Sequence, residues 1–250
     1  MPRAYAIGDV HGHFDLLQDA HRLIAADRKR TGDMDAPVIH LGDLVDRGPE
    51  SAEVVDFLAA GPAPGHAPWH CVKGNHDHMF RLFLADPPER DSRLKREYTW
   101  LHPRLGGTTT LASYGIADPE TRPEAEIAAE ARARVPANHL AYIDQMPFYL
   151  AAAGVLFVHA GIRPDVALAE QNPEDLMWIR EEFHNFRDQH PHLIVHGHTP
   201  IEVATHYGNR VNLDTGAAYG GPLTTAVVEN GEVWQLTPEG RHPLDPKATA

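Results

Sequence analysis

Five short segments of this chain place glycines beside side chains that can hold a metal ion. They are Gly8-Asp9-Val10-His11-Gly12, Gly42-Asp43-Leu44-Val45-Asp46-Arg47-Gly48, Gly74-Asn75-His76-Asp77, His159-Ala160-Gly161 and Gly197-His198-Thr199. Carboxylates, imidazoles and one amide are enough to ligate two divalent cations and leave polar groups over for proton transfer. No cysteine takes part. Cys71 is the only one in the chain and lacks the Cys-x5-Arg context of a nucleophilic thiolate, being followed by Val72-Lys73-Gly74.

For such groups to meet, the elements carrying them must end close together. Each segment follows an apolar run that reads as a strand: residues 4–7, 38–41, 69–73, 155–158 and 193–195. The steps Asp9 to Asp43 and Asp43 to Asn75 are 34 and 32 residues (43 − 9, 75 − 43). Each is long enough for one strand-helix-strand crossover, with helices expected over residues 14–28 and 51–60, the second capped by Ser51. Sites in open α/β sheets lie at the carboxyl ends of the strands, so five strands aim at one point.

Residues 87–146 have a different character. They are charged, helical in tendency and broken by Pro103, Pro119, Pro123 and Pro136, and they hold no metal-binding signature. They read as a helical insertion over one end of the sheet, in which Tyr98, Trp100 and Tyr114 either line a groove or form the insertion's own core. Beyond them the chain turns hairpin-like, at Gly208-Asn209 and at Asn230-Gly231. One domain is expected over residues 1–237, with a loose tail at 238–250.

Composition narrows the partners. A formal net charge of −13 argues against general nucleic-acid binding. It is compatible with an anionic substrate only where bound cations dominate the local field. No apolar window reaches the roughly 18 residues of a membrane span. Met1-Pro2-Arg3 leads directly into a strand, without room for a signal peptide, and with the lone cysteine this sets a cytoplasmic expectation.

The order and content of the five segments resemble the metal-dependent phosphoprotein phosphatases of bacterial type, within the calcineurin-like metallophosphoesterases. The resemblance covers residues 5 to about 215. It implies an α/β fold, a four-layer α/β/β/α sandwich of two mixed sheets flanked by helices. It implies that Asp9, His11 and Asp43 bind one metal, and that Asp43, Asn75, His159 and His198 bind a second, with Asp43 bridging. The donor set suits manganese first, with iron or zinc as further options. The implied reaction is in-line attack on phosphorus by a hydroxide bridging the metals, without a phosphoenzyme. His76 would donate the leaving-group proton, oriented by Asp46. Arg47, Arg180 and Arg163 would hold the phosphate. His196 falls where a ligand or a supporting residue could sit, and Asp77 either caps the helix after it or joins the chemistry.

The expected substrate is a phosphorylated protein or peptide (phosphoserine, phosphothreonine or phosphotyrosine) or another small phosphate ester. The rival within the fold is a symmetrical diadenosine tetraphosphate hydrolase, whose Gly-Asn-His-Asp and His-Ala-Gly forms also appear here. Val45-Asp46-Arg47-Gly48 favours the phosphatase, because such hydrolases usually lack the Asp-Arg pair. A reading of another class, a non-catalytic phosphate-binding scaffold, predicts a missing ligand or proton donor, and all the matched positions are filled.

Overall fold

The structure is a computed structural model and describes residues 2–247. The chain opens with β1 (Arg3–Ile7), α1 (Phe14–Thr31), β2 (Val38–His40), α2 (Ser51–Ala60), β3 (Trp69–Cys71) and α3 (Asn75–Phe83). The three strands pair in parallel, β1 on β2 and β2 on β3. The insertion forms α4 (Gly107–Ser113), α5 (Glu124–Arg134) and α6 (Ala137–Gln145). A second sheet follows, from β4 (Tyr149–Ala152), β5 (Val155–Val158), β6 (Leu193–His196), β7 (Thr205–His206) and β8 (Arg210–Asn212), with α7 (Pro173–Trp178) and α8 (Glu181–His184) between β5 and β6. The chain then returns to the first sheet as β9 (Thr225–Glu229), β10 (Glu232–Thr237) and β11 (Gly240–Pro243). The sheet orders are β11-β10-β9-β1-β2-β3 and β4-β5-β6-β8-β7, and both are mixed.

Side-chain alternation along the strands builds three apolar layers. Ala4 and Ala6 of β1 face Phe157, Val195 and Val211 of the second sheet, while Tyr5 and Ile7 point outward under α1, α2 and the insertion. On the second sheet, Val155 and Phe157 point inward, and Leu156 and Val158 pack outward on Leu176, Ile179 and Phe183 of the α7–α8 segment. Helices, sheet, sheet and helices therefore stack as the expected four layers. No helix among the described residues is long and apolar enough to cross a membrane.

Three local expectations are corrected. Part of the expected loose tail is ordered: Gly240–Pro243 pairs antiparallel with β10. Arg241 explains it, since its guanidinium bridges Asp27 of α1 at 2.7 Å and Glu229 of β9 at 2.6 Å. Residues 248–250 of that tail lie outside the described residues. Ser51 does not cap α2, which starts after Glu50; its hydroxyl instead accepts the Asp46 N–H at 3.1 Å. α3 starts at Asn75, so the third segment's functional residues stand in its first turn. The Asn230-Gly231 turn holds both residues at positive φ, 55° and 84°, as a two-residue hairpin turn requires.

A histidine pair is buried between β2 and α1. His40 Nδ1–H donates to His70 O at 2.9 Å, and its Nε2 accepts from His21 Nε2–H at 3.1 Å. The rings pack against Trp69 and, for His21, Phe57. Burial lowers His40 to about 4 and His21 to about 3. The unfolded chain takes up these protons near 6.5, so this part of the stability is full above pH 6.5 and is lost as pH falls toward 4 and below. His21→Phe is expected to flatten the acid limb of stability over that window. Urea midpoints measured against pH check it, and an unchanged slope would remove the pair from the account.

Candidate metal and phosphate site

The five segments converge at the carboxyl ends of β1, β2, β3, β5 and β6, and their backbones are bent to do it. His11, Asp43, Asp46, Arg47 and His198 all adopt positive φ, at 44°, 49°, 74°, 70° and 68°. Non-glycine residues seldom do so, and such strain persists only where the surroundings over-determine it. Here the first two loops are laced together: His11 N–H donates to Asp43 O at 2.8 Å, Gly12 N–H to Leu44 O at 2.8 Å and Gly48 N–H to His11 O at 2.9 Å. Two glycines are required by close approach. A Cβ at Gly197 would overlap Asp9 Oδ1, and one at Gly74 would overlap Asp43 Oδ1.

Hydrogen bonds fix the imidazole tautomers. His11 Nδ1–H donates to Val45 O at 3.0 Å and His159 Nδ1–H to Leu41 O at 2.7 Å, so both Nε2 lone pairs point into the cleft. This is the orientation that a ligating histidine takes when its second nitrogen is held by a carbonyl. Two donor groups form, each with its ligand atoms within 4.8 Å of one another: His11, Asp43 and His76, and Asp43, His159 and His198. Asp43 belongs to both. Asn75 Oδ1 stands 3.0 Å from His159 Nε2. Asp9 joins through His198, whose N–H donates to Asp9 Oδ2 at 2.9 Å.

Three features fit this set to cations. First, Asp9 Oδ1 and His198 Nε2 are buried without a hydrogen-bond partner among the described residues. Second, His159 Nε2 faces two acceptor oxygens, Asn75 Oδ1 and Asp43 Oδ1 at 3.3 Å, so something positive must lie among them. In its absence a proton serves: burial alone would lower His159, but the Asp43 charge and hydrogen bond raise it to about 10. Third, buried carboxylates crowd here. Burial and the neighbouring Asp214 push Asp9 well up, while burial, outweighed by His159 and His76, leaves Asp43 well down. His11 and His198 are held neutral, chiefly by burial, the form a metal needs.

Beside these groups stands the Asp46–His76 pair. His76 Nδ1–H donates to Asp46 Oδ2 at 2.6 Å, so its Nε2 faces Arg47 on the cleft side. Asp46 is fully buried and saturated: Trp100 Nε1–H donates to Oδ2 at 2.8 Å and Thr110 Oγ1–H to Oδ1 at 2.7 Å. Burial pushes Asp46 up to about 8, against the pull of the Thr110 and Trp100 hydrogen bonds, and burial lowers His76 to about 3. Asp77 is a clamp. Its carboxylate accepts the N–H groups of Asp43 at 2.9 Å, Leu44 at 2.9 Å and Gly74 at 3.0 Å, tying the second loop to the third and closing the start of α3.

The cleft is about 220 Å³ and is lined by His11, Asp43, Asn75, His76, Arg47 and Arg180 among others. Arg47 Nη1 donates to His11 Nε2 at 2.5 Å and Nη2 to His76 Nε2 at 2.9 Å. Neither Arg47 nor Arg180 has a carboxylate partner among the described residues. Arg163 is not brought in: its guanidinium pairs with Asp175 at 2.9 Å and does not line the cleft. His196 also turns away, its Nε2 3.1 Å from Arg210 Nη1. Strand β6 ends at His196, and the left-handed His198 breaks the alternation that would have put both rings on one side.

Sequence reasoning missed Asp214, Thr110, Trp178 and Tyr219, and it named Trp100 only as a groove or core residue of the insertion, not as a partner of Asp46. Asp214 lines the cleft and follows β8 as Asp214-Thr215-Gly216, another acid-glycine turn after a strand, which was the available signal. Trp100 and Thr110 carried none, because only the folded insertion brings them to Asp46.

This fold and site belong to a known class. The chain is a member of the calcineurin-like phosphoesterase family, whose sequence model matches residues 2–223. Members hold two divalent metals, in keeping with the two donor groups above. The chain is 28% identical over 246 residues to the asymmetrical bis(5'-nucleosyl)-tetraphosphatase PrpE of Anoxybacillus flavithermus, covering 87% of each chain. It is 30% identical over 247 residues to the enzyme of that name from Geobacillus thermodenitrificans, again 87% of each. Among solved structures it superposes on a cold-active protein-tyrosine phosphatase of a Shewanella species with a TM-score of 0.64 and 17% identity, covering 98% of this chain and 81% of that one, a likeness of fold.

Trp100→Phe keeps an aromatic ring beside Phe80 and Phe83 and removes the indole N–H from Asp46. It is expected to lower kcat by about tenfold, the scale of one lost hydrogen bond, with KM little changed. Steady-state kinetics beside a melting curve check it. A melting loss with kcat intact would make Trp100 a packing residue only.

Proposed function

We propose that this protein is a dinuclear-metal hydrolase of nucleotide phosphates, with a dinucleoside tetraphosphate as its substrate class. The observation that carries the hydrolase reading is Asp43, shared by two buried donor groups and facing Arg47 and Arg180 across one cleft. The substrate class is supported by the relatives that bear the tetraphosphatase name over 87% of both chains. Asp9, His11 and Asp43 would hold one cation, and Asp43, Asn75, His159 and His198 the other. Bound there, divalent cations activate a water and offset the charge of the phosphate oxygens.

The remaining steps belong to side chains. Arg47 and Arg180 fork onto the phosphate oxygens and orient phosphorus. On binding, Arg47 exchanges its imidazole partners for the phosphate. The incoming anion restores negative charge beside His76 and favours its protonated form. His76 Nε2–H then donates to the departing oxygen, while Asp46 holds Nδ1–H and steadies the ring. Arg163, paired with Asp175, has no part in this scheme.

The phosphoprotein phosphatase expected first from sequence is the second reading. The Asp46–His76 pair beside Arg47 favours it, because that arrangement answers to any phosphate ester. The test compares diadenosine tetraphosphate, a phosphoserine peptide, a phosphotyrosine peptide and p-nitrophenyl phosphate at equal metal. A higher kcat/KM for the dinucleotide is expected. Preference for either peptide would reverse the order of the readings.

Asp46→Asn is expected to cut kcat by about 10²–10⁴-fold, the range of general acid catalysis, with metal content near normal by elemental analysis. Thr110 can reverse its hydroxyl to meet the new amide, so the fold survives. His198→Ala and Asp43→Asn are expected to lose metal and rate together. Metal loss in Asp46→Asn would make Asp46 a ligand instead.

A further inference from the structure

The cleft of about 220 Å³ is smaller than the ~300–1,000 Å³ of pockets that enclose a drug-sized ligand. It is too small to enclose a whole dinucleotide, so with the phosphates seated inside, the parts at the ends of the phosphate chain lie toward its rim. One rim residue stands out. Tyr219 is 67% exposed, one of the exposed large hydrophobics among the described residues, and it lines the same cleft. Its ring lies 5.3 Å from the Arg47 guanidinium carbon, so an aromatic face and a phosphate-binding cation sit side by side.

The segment carrying Tyr219 is fixed to the site. It is a 3-10 turn, Ala217–Tyr219, held between Gly216 and Gly220 at φ 74° and 85°. Tyr219 N–H donates to Gly216 O at 2.8 Å and Gly221 N–H to the same oxygen at 2.9 Å. Gly216 N–H donates to Asp214 Oδ1 at 3.0 Å, which ties the turn to the cleft's own acid. Asp214 thereby acquires a role: it anchors the turn as well as adding negative charge. An aromatic ring carried on a fixed turn and two-thirds exposed beside the cleft touches Arg47 and belongs to none of the three apolar layers.

We infer that Tyr219 is a stacking platform for a nucleobase of the substrate and sets its preference for nucleotide over other phosphate compounds. This rests on the dinucleotide reading proposed above. Any base presents a π-face, so such a platform selects for a planar ring rather than for one base. The Arg47 guanidinium beneath positions the phosphate chain that leads from the base into the cleft.

The test uses the metal-loaded full chain and the ratio of kcat/KM for diadenosine tetraphosphate to that for inorganic tripolyphosphate, which has no base. Tyr219→Ala is expected to lower this ratio about tenfold through KM, the size of one base–aromatic stack, and Tyr219→Phe to restore it. The ring is exposed, so its removal leaves the core intact; a melting curve confirms this. An unchanged ratio in Tyr219→Ala, with wild-type protein cleaving the dinucleotide, overturns the platform and leaves the proposed function standing. Wild-type protein that hydrolyses tripolyphosphate or a phosphopeptide but not the dinucleotide overturns both. A loss in Tyr219→Ala confined to a phosphotyrosine peptide assigns the ring to a tyrosine side chain and overturns the nucleobase.

Discussion

Buried like charge is the constraint around which this molecule is organised. Asp9, Asp43 and Asp214 crowd together at the cleft, each at most 6% exposed, with lone pairs of His11, His159 and His198 or their neighbours turned toward them. Left alone, such a set would repel itself apart or take up protons, because burial penalises every uncompensated charge. The protein resists that relaxation with backbone geometry. Five left-handed residues, interlocked loops and glycines that leave room for carboxylate oxygens keep the donors aimed at a common point. The strain has a purpose only if cations enter, and the bound charge then repays it.

The rest of the fold supplies rigidity to that point. Three apolar layers clamp both sheets, and the loops emerge from strand ends that cannot shift independently. Asp77 couples the second loop to the third through three backbone N–H groups. The insertion takes part as well. Gly106 O accepts the Arg47 N–H at 3.3 Å, and Trp100 and Thr110 saturate Asp46. A segment that looks like an appendage in sequence therefore forms the back wall of the Asp46–His76 pair.

What was legible in the sequence follows from range of interaction. Asp9, Asp43, Asn75, His159 and His198 were readable because each lies at a strand end marked by an apolar run and a glycine, a local pattern. The layers were readable from alternation, as in Ala4, Tyr5, Ala6 and Ile7. The contacts of Trp100, Thr110 and Tyr219 were not, since their partners are 54, 64 and 172 residues away (100 − 46, 110 − 46, 219 − 47) and no local pattern announces them. Strand β11 was hidden for the same reason, being held by Arg241 on Asp27 from the far end of the chain. Arg163 was a false positive of motif proximity: it follows His159-Ala160-Gly161 closely, yet Asp175 claims it first.

The net charge of −13 illustrates how poorly a global sum describes a site. Much of the acid is already paired: Asp27 with Arg241 and Arg30, Glu229 with Arg3 and Arg241, Asp175 with Arg163. Those guanidiniums are spent on structure. Arg47 and Arg180 differ in having no carboxylate partner among the described residues while bordering the cleft. An anionic substrate approaching this acidic surface meets repulsion at long range, screened beyond about 10 Å in ordinary salt. At the cleft mouth it meets guanidiniums that no carboxylate neutralises among the described residues and, behind them, donors arranged for divalent cations. Selectivity then cannot come from charge steering, which favours no anion here. It has to come from contact, from what the phosphate chain carries at its ends and from which surfaces at the rim can hold it.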